Sequence, residues 1–241
     1  MAHEVLVGVV VLVAVAAAFF VSASAGLGGS LILVPALAAL LGTKEGVALA
    51  ALLLAANNVV KVVAYRRVLP LQASTAVILV TFAGTYLGAR LLVAAPEALV
   101  TSAVIASFGV ALLVERRKAA VRSTALAPTL AFASGATSGF SGTSGPLKGI
   151  AIRSLGLDRL HTVGAAALVS LVGDATKTAV FTDARLLDAS SYVLAVVAAP
   201  IMVAATYGGR RFNYTIGERG YQRLFWAVMG GYSLRLLSAM I

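Results

Sequence analysis

Apolar runs long enough to cross a bilayer follow one another along this chain with almost nothing between them. They fall at 5–24, 46–65, 71–92, 98–114, 162–181, 192–208 and 221–237, with shorter runs at 31–41, 125–139 and 146–152. A helix crossing the hydrocarbon needs roughly 17–25 predominantly apolar residues. With no water there, the backbone must satisfy its own hydrogen bonds, which restricts the spanning structures severely. The whole chain of 241 residues is 60% hydrophobic and 12% charged, with a mean hydropathy of +0.98. No stretch is left for a soluble domain. The expectation is an all-α polytopic membrane protein forming one membrane domain over 1–241.

Several function classes fall away on residue counts. The chain has no cysteine and only two histidines, His3 and His161, which excludes disulfides, thiolate metal sites and a histidine metal cluster. No nucleotide-binding motif is present to drive an ATP-powered pump, and no cofactor is expected. The formal charge of +10 sits between apolar runs, where it sets topology, and does not point to nucleic acid. The first 24 residues lack a basic n-region and run straight into a glycine break, so they are expected to be retained.

That break, Gly26-Leu27-Gly28-Gly29-Ser30 followed by Pro35, interrupts what would otherwise be a plain membrane helix. Each glycine weakens a helix by roughly 1 kcal/mol relative to alanine. A second break runs from Gly139 through Ser141, Gly142, Thr143, Ser144 and Gly145. Broken backbone at membrane depth is tolerated where it meets protein or a water-filled cavity. The N–H groups opening the second half of a broken helix favour an anion. Gly28, Gly29, Ser30, Thr143, Ser144 and Gly145 are therefore expected to line an anion site. Scattered glycines such as Gly84, Gly88, Gly109, Gly208, Gly209, Gly230 and Gly231 are read as close-packing positions.

The chain repeats itself. A shift of 116 sets Gly26–Gly29 on Gly142–Gly145, Asn58 on Asp174, Lys61 on Lys177 and Tyr65 on Phe181. A shift of 121 then pairs Thr85-Tyr86 with Thr206-Tyr207, Gly88 with Gly209, Arg90 with Arg211 and Glu97 with Glu218. Two repeats are expected, 1–117 and 124–241, as in secondary transporters. If each broken segment (5–41 and 125–156) folds back as a re-entrant hairpin, each half has three crossings and the halves are inverted. One face then gathers Arg66, Arg67, Arg116, Arg117, Lys118, Arg122, Arg153, Arg159, Arg210, Arg211, Arg219 and Arg223. The other keeps Lys44, Arg90, Arg185 and Arg235 beside five acidic residues. The positive-inside rule favours this arrangement over eight plain spans, and it places both termini outside.

Three lysines lie within apolar runs: Lys61, Lys148 and Lys177. A charge at membrane depth is costly and points to function, although a lysine near a helix end can also snorkel to the headgroups. Asn57, Asn58, Lys61 and Tyr65 share one helical face, and Ser170, Asp174, Lys177 and Phe181 repeat it. Lys61 and Lys177 are expected to approach a central anion from two symmetric helices, with Asn57 and Asn58 orienting it and Lys148 reaching the same cavity. Asp174, three residues before Lys177, is either a local counter-ion or a proton carrier. His161 is read as a boundary residue. Arg90 and Arg211 are read as headgroup anchors or partners of Glu97 and Glu218.

The G-x-G-G-S-x-x-x-x-P pattern at 26–35 and its echo Ser141-Gly142-Thr143-Ser144-Gly145-Pro146-Leu147 resemble the two glycine-rich signatures of the sulfite exporter TauE/SafE family. The segments Gly84–Arg90 and Thr206–Arg211 resemble that family's third helices. The second signature departs from the usual pattern: Ser144 stands where a glycine is common, and Lys148 follows. The resemblance implies a multi-pass carrier of the prokaryotic inner membrane for small inorganic or organic sulfur anions such as sulfite, sulfoacetate or other organosulfonates. It would work by alternating access and ion-gradient coupling, with a proton the first candidate. It would be no enzyme, and its close-packing glycines permit a homodimer. A passive anion channel and a non-transporting assembly subunit are the alternatives.

Overall fold

The structure, a computed structural model, describes residues 2–25, 28–116, 127–216, 220 and 223. Those residues form nine α-helices: α1 (Ala2–Ala25), α2 (Gly29–Leu41), α3 (Thr43–Ala64), α4 (Leu71–Ala94), α5 (Glu97–Arg116), α6 (Ala127–Ser141), α7 (Gly145–Arg153), α8 (Arg159–Asp183) and α9 (Ala189–Thr215). A 3₁₀ turn, Arg66–Val68, links α3 to α4. The chain is an all-α polytopic membrane protein, and α3, α4, α8 and α9 are long and apolar enough to cross a membrane. The expected run at 221–237 lies, apart from Arg223, outside the described residues, as do Gly26, Arg117, Lys118, Arg122, Glu218, Arg219, Gly230, Gly231 and Arg235.

Both expected breaks are present, and each is a sharp reversal. Gly28 has φ +106° and Gly142 φ +77°, values that glycine adopts without steric cost. A Cβ on Gly29 would touch Ser22, seven residues earlier. Farther along, Val11 shares a cavity with Leu37 and Leu40. Thus α2 returns alongside α1 as a hairpin, and α7 packs against α6 after the corresponding break.

The pairings cross between the halves. Helix α1 packs on α9 and α6 on α4, while α3 lies against α8. Glycines make the crossed contacts possible: Gly84 and Gly88 face the carbonyls of Phe132 and Ala136, and Gly209 faces that of Phe20. Phe20 and Ala136 are themselves 116 residues apart. Removing the side chain lets two backbones approach closely, the packing mode of membrane helices. Gly208 differs, because its added Cβ would meet only the Phe20 ring at ordinary van der Waals distance.

Helices α3 and α8 are buried along most of their length. By contrast α4 and α9 turn Leu79, Phe82, Leu91, Val193, Val196 and Val197 outward, an apolar surface suited to lipid. The helix ends sort into two groups. At one end the Thr43 N–H donates to Glu97 Oε1 at 2.8 Å, Lys44 donates to the Val93 carbonyl, and Arg90 lies 3.8 Å from Asp183. Arg90 therefore pairs with Asp183, whereas Glu97, offered as its partner by the sequence, caps α3 instead. At the other end Arg210 stacks over Tyr65 and Tyr214, and Arg159 donates to the Asn213 carbonyl at 2.8 Å. These contacts carry α9 seven residues past the expected end at 208. They also fix α3 and α8 as antiparallel, since the start of α3 and the end of α8 share the first group. His161 is exposed and bonds the N-cap of its own helix, Asp158.

Candidate functional site

Four charged side chains are buried among the described residues: Lys61, Lys148, Asp174 and Lys177. All four belong to α3, α7 and α8, around the point where α3 crosses α8. At that crossing the Asn58 amide donates to Asp174 Oδ2 at 2.7 Å. These two residues are partners across the 116-residue repeat, so the bond joins equivalent positions of the two helices. The other Asp174 oxygen lies 2.6 Å from Lys177 Nζ.

One helical turn from this contact, on either side, stand the two repeated lysines. Lys61 Nζ donates to Ser22 Oγ at 3.1 Å, and Lys177 Nζ donates to Ser138 Oγ at 3.2 Å. Ser22 and Ser138 are again 116 residues apart, so the same hydrogen bond occurs twice. Lys177 also reaches the carbonyl of Gly142 at the second break, at 3.4 Å. Both lysines have no solvent exposure. Neither snorkels; each points inward to the broken hairpin of its own half.

The breaks meet at the same place. Ser30, in the first turn of α2, donates to Thr143 Oγ1 at 3.4 Å. Thr143 and Ser144 are buried, and Ser144 precedes the first turn of α7 without capping it through its side chain. Gly28, Gly29 and Gly145 supply backbone at the starts of α2 and α7. Two short helices thus begin beside the lysine cluster, and the first N–H groups of an α-helix have no carbonyl within that helix to bond. Lys148, in the first turn of α7, donates to Ser170 Oγ at 3.1 Å.

Asn57 is also buried. Its Oδ1 accepts from Thr206 at 2.6 Å, while its Nδ2 has no protein partner. Thr85, the repeat partner of Thr206, likewise has a buried hydroxyl with no protein partner. It faces Gly173, which stands where the first half has Asn57. Asn57 Nδ2 and the Thr85 hydroxyl are among six buried side-chain polar atoms without a protein partner in the described residues.

Ammonium groups, hydroxyls, an amide and helix starts thus come together here, buried from bulk water. The described residues contain no group of histidine and carboxylate side chains that could hold a metal. The structure thus brings together Lys61, Lys148, Asp174, Lys177, Asn57 and Asn58 with the two breaks. Ser22 and Ser138 were not among the residues singled out from sequence, and Thr206 was singled out there as a repeat partner of Thr85 and not as a site residue. Ser22 and Ser138 carry a signal all the same, since a serine recurs at the 116-residue spacing of the lysines.

No curated protein and no solved structure matches the chain. The family model described as Sulfite exporter TauE/SafE matches residues 10–236. A match over nearly the whole chain, on a helical membrane protein with this buried cationic centre, places the protein in the sulfite exporter TauE/SafE family.

Proposed function

We propose that the protein is a secondary carrier of small sulfur anions, sulfite or organosulfonates such as sulfoacetate, in a prokaryotic inner membrane. The observation that carries this reading is the doubled lysine–serine bond at the crossing of α3 and α8. Lys61 and Lys177 neutralise the anion, and Lys148 adds charge from α7. Asn57 Nδ2, the hydroxyls of Ser30, Thr143 and Ser144, and the backbone around Gly28, Gly29 and Gly145 replace its lost hydration, without which burial would be very costly. Asn58 holds Asp174, which serves as counter-ion to Lys177.

Transport proceeds by alternating access between two inverted repeats, 1–117 and 124–241. The antiparallel course of α3 and α8 and the crossed packing of α1 on α9 and α6 on α4 support that arrangement. Pseudo-symmetric halves around one central site give two arrangements of similar energy, open to opposite faces. With no nucleotide motif, an ion gradient, a proton first, supplies the drive. The arginine-rich end faces the cytoplasm and both termini face outward.

The test is flux of labelled sulfite and sulfoacetate into proteoliposomes. Saturable, concentrative flux is expected from the native chain and none from a Lys61→Met, Lys177→Met double variant that still melts cooperatively. Unchanged flux in that variant removes the binding role.

A further inference from the structure

The two halves of the site differ at one equivalent pair. In the first half Thr206 on α9 donates to Asn57 Oδ1 on α3 at 2.6 Å. The equivalent residues of the second half are Thr85 on α4 and Gly173 on α8, at shifts of 121 and 116 residues. Gly173 has no side chain to accept a hydrogen bond, and the buried Thr85 hydroxyl has no protein partner. The repeat names what this hydroxyl lacks, an acceptor carried on residue 173.

Gly173 is not a packing glycine. A Cβ on Gly84, Gly88, Gly135, Gly139 or Gly209 would collide with a carbonyl of a neighbouring helix. Among the described residues, a Cβ on Gly173 would meet outside its own helix only Thr85 Oγ1, at 3.5 Å, an ordinary contact. Glycine weakens a helix, and no close backbone approach offsets that here. Gly173 is nonetheless buried, and Ser170 and Lys177 lie one turn before and one turn after it on the same face of α8.

Resting on the carrier reading, we infer that Thr85 binds the cargo, whose oxygens take the space of the side chain missing at Gly173. An asparagine side chain and a sulfite ion have the same number of heavy atoms, and both present oxygen to a hydroxyl. The anion therefore sits off the pseudo-twofold, on the α4–α8 side, because the first half closes the matching space with Asn57. A threonine hydroxyl donates whatever the protonation of the lysines around it.

The test is sulfite binding to the purified full chain, read from the concentration dependence of thermal stabilisation. Thr85→Val keeps the shape and removes the donor. It should melt at or above the native temperature and bind sulfite about tenfold more weakly, the scale of a hydrogen bond to a charged group. Thr85→Ser should bind as the native chain does. Gly173→Asn gives the second half the acceptor of the first, so it should melt cooperatively and lose the stabilisation by sulfite. Gly173→Ala fills less of the space and should weaken binding.

The inference is overturned, with the carrier reading left standing, if Thr85→Val binds sulfite within about twofold of native or loses its cooperative melt. Native-like binding by Gly173→Asn overturns it too; where that variant does not fold, Gly173→Ala decides in the same way. Failure of both Gly173 variants to fold means that no space stands beside Thr85, and also overturns it. If sulfite does not stabilise the native chain at all, both readings fall.

Discussion

Replacing Asp174 by asparagine tests how the centre is held together. The carboxylate lies 2.6 Å from Lys177 Nζ through one oxygen and accepts from Asn58 at 2.7 Å through the other. In Asp174→Asn the side chain retains one acceptor, and its NH₂ group is set against a donor on the other side. Breaking a buried pair by neutralising one partner costs about 3–5 kcal/mol, because the remaining charge is stranded. For a chain of this size about 1 kcal/mol shifts Tm by about 2–4 °C, so a fall of roughly 6–20 °C is expected. The assay is a circular-dichroism melt in detergent. Lys177→Met alone should lower Tm comparably, since it strands the carboxylate. The double variant buries neither charge and should lose much less than the two single losses combined. Sulfite should restore more stability to Asp174→Asn than it adds to the native chain, because an anion takes the place of the missing carboxylate. A Tm within about 2 °C of native for Asp174→Asn, or strict additivity in the double variant, would refute the reasoning.

Three further outcomes follow from the packing and the helix ends. Gly209→Ala should destabilise by about 1–3 kcal/mol, because its methyl meets the Phe20 carbonyl and the helices must part. Gly208→Ala, one residue away with only the Phe20 ring nearby, should be neutral or stabilise by up to about 1 kcal/mol through helix propensity. Paired melts separate the two. Hydrogen bonds from Ser191 and Ser190 hold the Asp188 carboxyl down from 3.8 to about 2 at the start of α9. A carboxyl depressed on folding contributes stability above its unfolded value and loses it as pH falls towards its folded one. The Tm gap between native and Asp188→Ala should thus be full above about pH 4 and close by about pH 2 in an acid melt series. Because the chain has no cysteine, single cysteines at Lys44 and Arg67 can be labelled without background. They should react with impermeant maleimide from opposite sides of the membrane, and labelling from one side would contradict the topology.

The sequence by itself determined the helices and where they break. Apolar length and the Gly26–Ser30 and Gly139–Gly145 clusters mark α1 to α9 to within a few residues, except where Arg159, Arg210 and Asn213 carry α9 onward. Backbone satisfaction in an apolar medium is a local requirement, so local composition reveals it. The repeat spacing also picked out the lysines, because a buried charge stands out against an apolar run. What only the tertiary structure decided is who meets whom. Asn58 finding Asp174, each lysine finding the serine of its own hairpin, and Arg90 choosing Asp183 over Glu97 all depend on how helices distant in sequence cross. Those crossings are set by shape, through glycines that admit a neighbouring backbone, and complementarity between two surfaces is written in neither strand of sequence alone.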